Sequence, residues 1–296
     1  MRIALIALFA LLPLSFALAD VAQTAQGADS LHNKGMYAEA RTLVLNAVAT
    51  AATGKEQAEL YWRAARETLE LGDISDSAKK PVADTLAIFT EGEGYADKAI
   101  AADPQNDLGY YWKSSNIGRW GQVKGILNSL FKAGPMRDLL VKDLSLNSDR
   151  SDAYYVLGQL YREVPGWPVS FGNVTAAVSL GRKSVDLRQA QVRAGTEPAL
   201  VYNFITELAK TLYKRNWSAA TRAAEQKNEA ARLAAATTQL DKASAYEATV
   251  TLENTSDRAE AKALVQGVVN DLQSRASLNA PDAKDLQSAK DVLKGW

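Results

Sequence analysis

The stretch Tyr154-x2-Leu157-Gly158-x2-Tyr161 constrains this chain more than any other. Its spacings of three and four put two rings and a leucine on one stripe of a helix, and Gly158 leaves that stripe bare enough for a second helix to approach closely. The rest of the chain repeats the same periodicity. Apolar or small residues recur at helical intervals in Leu60, Ala64, Ala65, Thr68, Leu69 and again in Leu264, Val268, Val269, Leu272. No sustained alternation argues for a strand, and glycine, proline and Asn/Asp clusters fall between the periodic segments. The expected class is therefore all-α, with many helices joined by turns.

The pattern of the opening stretch is the first half of a tetratricopeptide unit. In that unit Trp-x2-Leu-Gly-x2-Tyr on one helix is followed by Ala-x3-Phe on a second and by proline, over about 34 residues; here tyrosine replaces the tryptophan. Other pieces phase with it. Gly35-x-Tyr37-x2-Ala40-x3-Val44-x2-Ala47 reads as the turn and second helix of a first unit. Leu60 to Leu71, a turn at Gly72-Asp73, and a closing half from Tyr95 to Asn106 make a second. Tyr110 opens a third that closes at Asp143 to Asp149, Tyr154 opens a fourth, and Leu200 to Tyr213 with Trp217 to Ala224 form a fainter fifth.

The sequence thus predicts a tetratricopeptide-like helical-hairpin solenoid with enlarged intra-repeat loops. Equivalent tyrosines 110 and 154 are 44 residues apart, roughly ten more than the repeat length. Extra residues lie between Gly72 and Tyr95, including Lys79-Lys80-Pro81, and between Tyr161 and Ala177. Insertions at one point of each repeat map to loops on one face of a solenoid, often the binding face.

The fourth unit's insertion contains Val164-Pro165-Gly166-Trp167-Pro168. Pro165 and Pro168 fix φ, and Gly166 is able to take a positive φ. Trp167 is therefore held with little freedom to lose on contact. It either covers the open end of the solenoid or lines a ligand or partner site.

Composition narrows the function classes. Lys plus Arg is 34 and Asp plus Glu is 34, so nothing favours nucleic acid or acidic lipid. Cysteine is absent, which excludes disulfides, thiolate metal sites, a cysteine nucleophile and a lipidated N-terminal cysteine. One histidine, His32, builds no metal cluster by itself, and no phosphate-cradling glycine motif occurs. Glu67 and Glu70 are one turn apart and read as surface charge, so no enzyme, cofactor or metal is expected.

The chain opens with Arg2, an apolar run from Ile3 to Leu14 and Ala17-Leu18-Ala19, the pattern of a cleaved secretory signal peptide over residues 1–19. Secretion without cysteine fits a bacterial periplasm. The expected organisation is a solenoid over residues 20–217 and a C-terminal helical extension or cap of the same domain over 218–296. No later window is apolar for long enough to span a bilayer.

Tyr-Tyr-Trp-Lys-Ser-Ser-Asn at 110–116, then the 154–161 motif, then Pro165-Gly-Trp-Pro-Val-Ser-Phe-Gly172, resemble the T component of tripartite ATP-independent periplasmic transporters. The same residues resemble the tetratricopeptide-type domain of the regulator of microtubule dynamics family, which shares the Pro-Gly-Trp-Pro turn. The resemblance is best from about Leu60 to Leu187. It implies a helical solenoid enclosing a cleft or pore, association with a periplasmic solute-binding protein, and homo-oligomers among its members. The transporter-linked members are lipoproteins, and this chain has no cysteine to lipidate.

The inner lining of a repeat stack comes from first helices, one position after the repeat's aromatic and about every four thereafter. That phase selects Trp62 and Arg66 in the second unit, Tyr111 and Ser115 with Trp112 or Asn116 beside them in the third, and Tyr155, Gln159 and Arg162 in the fourth. Arg66 and Arg162 would grip a carboxylate while the rings pack an apolar tail. The expectation is a periplasmic, non-enzymatic binding protein for a small amphipathic or organic-acid solute, working with or through a partner. The alternative is a protein–protein scaffold whose groove takes an extended peptide. Bland readings stand beside both: rings at helical spacing pack helices, and exposed arginines solvate a face.

Overall fold

The computed structural model describes residues 14–296. The expected leader falls outside these residues up to position 13. Every extended element among the described residues is a helix, and they group into two compact units, divided along the chain between Lys124 and Gly125.

The first unit holds α1 (Leu14–Asn33), α2 (Tyr37–Ala47), α3 (Gly54–Ser77), α4 (Val82–Ala102) and α5 (Asp107–Lys124), each packed on its neighbour in sequence. Local chemistry sets their ends. Gly35, at φ 74°, turns the chain between α1 and α2 as the sequence suggests. α3 opens on a capping box in which Thr53 accepts from Glu56 N and the Glu56 carboxylate accepts from Thr53 N. Ala28, Ala40 and Ala64 are fully buried with Val21, Val44 and Leu60. Small side chains at that seam let the helices of the first hairpins pack closely.

The turn expected at Gly72-Asp73 is not there. α3 continues to Ser77, and the reversal comes at Ala78 to Pro81, where Lys79 has φ 55°. Gly72 instead makes room for a neighbour, since a Cβ there would lie 2.3 Å from the Phe89 ring of α4. The extra residues of this repeat lengthen α3 and α4, so this insertion is helix and not loop.

The second unit contains α6 (Ala133–Leu146), α7 (Ser151–Glu163), α8 (Val174–Ala194), α9 (Tyr202–Arg215), α10 (Ala219–Ala235), α11 (Gln239–Ser244), α12 (Asp257–Ser274) and α13 (Ala280–Lys294). Gly158 behaves as its motif predicts: a Cβ on it would lie 3.3 Å from Ala177 O and 3.4 Å from Gly181 N, so α7 and α8 meet backbone to backbone. Tyr154 is fully buried beside it, and its hydroxyl donates to Ser148 O at 3.0 Å. The C-terminal helices after residue 217 belong to this unit, where α12 packs directly on α9. Leu208 and Leu212 of α9 share one core with Val178 and Val185 of α8 and with Val265, Val268 and Leu272 of α12. Each such buried aliphatic contributes roughly 1.5–3 kcal/mol.

A buried ionic network completes the C-terminal packing. Arg215 binds Asp257 at 2.8 Å and Glu247 at 3.0 Å, and Arg182 binds Glu247 at 2.8 Å and Glu260 at 2.7 Å. Arg222 pairs with Asp257 and Glu260. Three guanidinium groups from α8, α9 and α10 thus meet three carboxylates from α12 and from the short 3-10 turn Tyr246–Thr249. No helix among the described residues is long and apolar enough to cross a membrane.

Candidate functional site

In the first unit, residues singled out by repeat phase lie on α3 and α5. Trp62 is buried; its Nε1–H donates to Glu59 Oε2 at 3.1 Å, and the Arg63 guanidinium covers its ring at 4.1 Å. Arg66 is spoken for within the unit. Its Nε donates to Glu67 Oε1 and its Nη2 to Asp29 Oδ1, both at 2.8 Å. Burial would raise the Asp29 pKa, but Arg63 and Arg66 outweigh it and hold that carboxyl below its ordinary value.

Glu67, expected on the surface, is fully buried, and its other oxygen faces His32 Nδ1 at 2.9 Å. The one-turn spacing of Glu67 and Glu70 says nothing about α1, whose His32 faces Glu67 here.

On α5, Tyr111 and Trp112 are half-buried and meet edge to face at 5.0 Å. Asn116 is fully buried and does not line an accessible wall. Its Nδ2 donates to Ala65 O at 3.2 Å and to Trp112 O at 2.9 Å, in a niche that Gly92 leaves open. The Trp112 indole N–H is buried with no acceptor among the described residues.

In the second unit, Tyr155, Gln159 and Arg162 of α7 do come together, and α9 is what they face. The Tyr155 ring stacks on Phe204 with centroids 4.4 Å apart. Its hydroxyl accepts from Gln159 Nε2 at 2.9 Å and Asn203 Nδ2 at 2.6 Å, and burial pushes its pKa well above the ordinary tyrosine value. Arg162 donates to Glu207 Oε2 and to Glu163 Oε1, each at 2.6 Å, and to Thr211 Oγ1 at 3.2 Å. Burial alone would raise the Glu207 pKa; Arg162 and Lys210 outweigh it and lower it. Asp29, Asn203 and Glu207 were not marked by the sequence. For Glu207 the available signal was its spacing of three from Lys210 on a strongly amphipathic helix.

The two arginines expected to grip one anion therefore lie in different units, each already held by two carboxylates. The third feature is of another kind. The turn between α7 and α8 is tied down by Gly172 N to Pro165 O at 2.9 Å, Val169 N to Gly166 O at 3.1 Å and Asn173 N to Tyr161 O at 2.9 Å. Phe171 points inward against Tyr161, with centroids at 5.1 Å, and Arg137 of α6 lies 4.7 Å over its ring.

Gly166 does not use the positive φ open to it; glycine serves here because a Cβ would press on Gly172 O at 3.2 Å. Gly172 is tighter, with a Cβ 1.9 Å from Val164 O. On this platform Trp167 is 90% exposed and Val169 65%. Trp167 packs over nothing within the second unit, so there the indole is not a lid.

No set of three metal-ligating side chains stands close enough to hold an ion among the described residues. In comparisons with known proteins, residues 24–178 match the family model described as regulator of microtubule dynamics protein 1-3. The match runs from α1 into the first turn of α8 and includes every singled-out residue from Trp62 to Trp167. No curated protein matches the chain.

Proposed function

The chain belongs to the regulator of microtubule dynamics protein 1-3 family, and from that premise we propose that it is a non-enzymatic, tetratricopeptide-like interaction protein that takes hold of a protein partner through the Trp167 turn. The observation that carries this is the pairing of a fixed backbone with a solvent-facing indole. A tryptophan whose backbone is already ordered loses little entropy on docking and offers a large amphipathic face, the property of binding anchors. The leader pattern at the start of the sequence supports export to a periplasm. The partner class that fits the transporter resemblance is a periplasmic solute-binding protein, which makes the chain an accessory to solute uptake.

A second reading keeps the small amphipathic or organic-acid ligand near the inner rings. One observation favours it: the buried Trp112 N–H has no acceptor, and a ligand oxygen would supply one. The saturation of Arg66 and Arg162 by internal carboxylates weighs against an anion held by both.

The test is site-specific photo-crosslinking in cells, with a benzophenone side chain at position 167 and, as control, at exposed Ala231 of α10. A discrete adduct with a soluble solute-binding protein at 167 and none at 231 is expected. Trp167→Ala should then weaken the isolated pair by about 2 kcal/mol or more, the cost of a binding anchor. Equal labelling at both positions, or a Trp167→Ala complex of unchanged affinity, overturns the proposal.

A further inference from the structure

The Trp167 turn closes on itself through Gly172 N to Pro165 O and Val169 N to Gly166 O, and Asn173 N to Tyr161 O joins it to α7. These bonds fix the shape of the turn, but they lie within it or at its stem. A loop tied only at its stem is free to rock about that stem, and an indole at its tip rocks with it.

One contact comes from a third helix. Arg137, in the second turn of α6, lays its guanidinium over the Phe171 ring at 4.7 Å, and that ring rests against Tyr161 with centroids 5.1 Å apart and planes at 60°. Asp138 Oδ1 accepts from Arg137 Nε at 3.1 Å and from Nη2 at 3.0 Å. The two contacts use different parts of one group, because a guanidinium donates hydrogen bonds in its plane and attracts an aromatic ring with its face. Asp138 ties down the edge while the face covers Phe171.

The cation also stands close enough to Tyr161 to oppose the rise that burial imposes on that phenol's pKa. Arg137 therefore meets at once the α7 residue that anchors the turn and the limb that returns from Trp167. Its side chain is 32% exposed, so its worth lies in this contact more than in core burial.

We propose that Arg137 is a positioning residue for the Trp167 contact: it clasps the turn to α6, so that the indole is presented in one orientation and a partner gains from that order without touching the guanidinium. This role rests on the Trp167 reading of the turn. Ordering a loop on association costs affinity, and a loop ordered beforehand escapes that cost. The planar fork of an arginine is suited to the task, since it loses less freedom per contact than a lysine would.

The full chain, labelled with 15N and deuterium, is compared with Arg137→Ala and Arg137→Lys by 15N relaxation at the backbone amides of Gly166, Trp167 and Val169. In the parent the order parameters should lie near the rigid-backbone value of about 0.85, and in Arg137→Ala they should fall toward about 0.6. Lysine keeps the charge without the planar face, so Arg137→Lys should fall between the two. Amides of α7 and α8 should keep their parent values. The protein cross-linked through position 167 should bind Arg137→Ala about five- to tenfold more weakly than the parent, and should bind Trp167→Ala and the double variant alike. Unchanged order at residues 166–169 in Arg137→Ala, an equal loss of order throughout α7 and α8, or a double variant weaker than Trp167→Ala would overturn the proposal. Relaxation needs no partner, so it separates failure of the Arg137 clasp from failure of the Trp167 reading, which shows in the cross-linking and in Trp167→Ala.

Discussion

Replacing Glu247 with glutamine tests whether the C-terminal helices are held by charge balance. In the folded chain Arg182, Arg215 and Arg222 face Glu247, Asp257 and Glu260, three charges against three, and Glu247 is nearly inaccessible. Glutamine keeps the shape but leaves one buried guanidinium charge uncompensated. Breaking one partner out of a buried pair costs about 3–5 kcal/mol, about a fifth or more of the 5–15 kcal/mol typical of a domain. The expected signature is local. Backbone amides of α12, measured by hydrogen exchange at pH 7, should exchange about a hundred- to several-thousandfold faster, while those of α2 and α3 are unchanged.

Adding Arg182→Met to Glu247→Gln returns the cluster to two against two and should recover a large part of the loss, so the cycle isolates charge from packing. Acid should act in the same direction. Burial raises the pKa of Glu247 and Glu260, but the facing guanidinium groups outweigh it and lower both. Carboxylates with folded pKa below the unfolded value of about 4.3 stabilise the fold above that pH, and their contribution is lost as pH falls below it. The second unit should therefore lose stability on acidification below about pH 4.3, with a shallower slope in Glu247→Gln. A Glu247→Gln protein within 1 kcal/mol of the parent at pH 7, or one not rescued by Arg182→Met, would refute the reasoning.

Three further outcomes follow from single contacts. Gly72→Ala drives a methyl into the Phe89 ring and should cost about 1–3 kcal/mol in urea unfolding; a smaller loss would mean that α3 and α4 can slide apart freely. Gly172→Ala places a methyl on Val164 O, so the turn must open, and nanosecond fluorescence anisotropy should show faster local motion of Trp167 than in the parent, with α7 and α8 helicity retained by circular dichroism. Arg162→Ala leaves buried Glu207 with Lys210 as its one close cation among the described residues and should destabilise the second unit by about 2–3 kcal/mol in thermal unfolding.

The hairpins are legible in the sequence where a motif fixes both partners. Tyr154, Leu157 and Gly158 specify one face of α7, and the residue that must meet Gly158 is the next helix in the chain, so the α7 and α8 contact follows. Periodicity is weaker where helix length is the variable. Gly72 looks like a turn because glycine usually marks one, yet it sits inside α3, and the need it meets is a ring on α4 that sequence spacing does not reveal. The inner-wall residues fail for a third reason. Repeat phase says which way Tyr155, Gln159 and Arg162 point, but not what stands opposite.

What stands opposite Arg162 is Glu207, 45 residues later, and what stands opposite Arg66 is Asp29 from the helix before its own hairpin. An arginine read alone is a free cation; with its carboxylates in place it is a bolt between helices. Trp167 is the exception: its backbone is held by the turn while its ring is 90% exposed, and an uncovered ring on a fixed backbone is a place where a second molecule gains by binding.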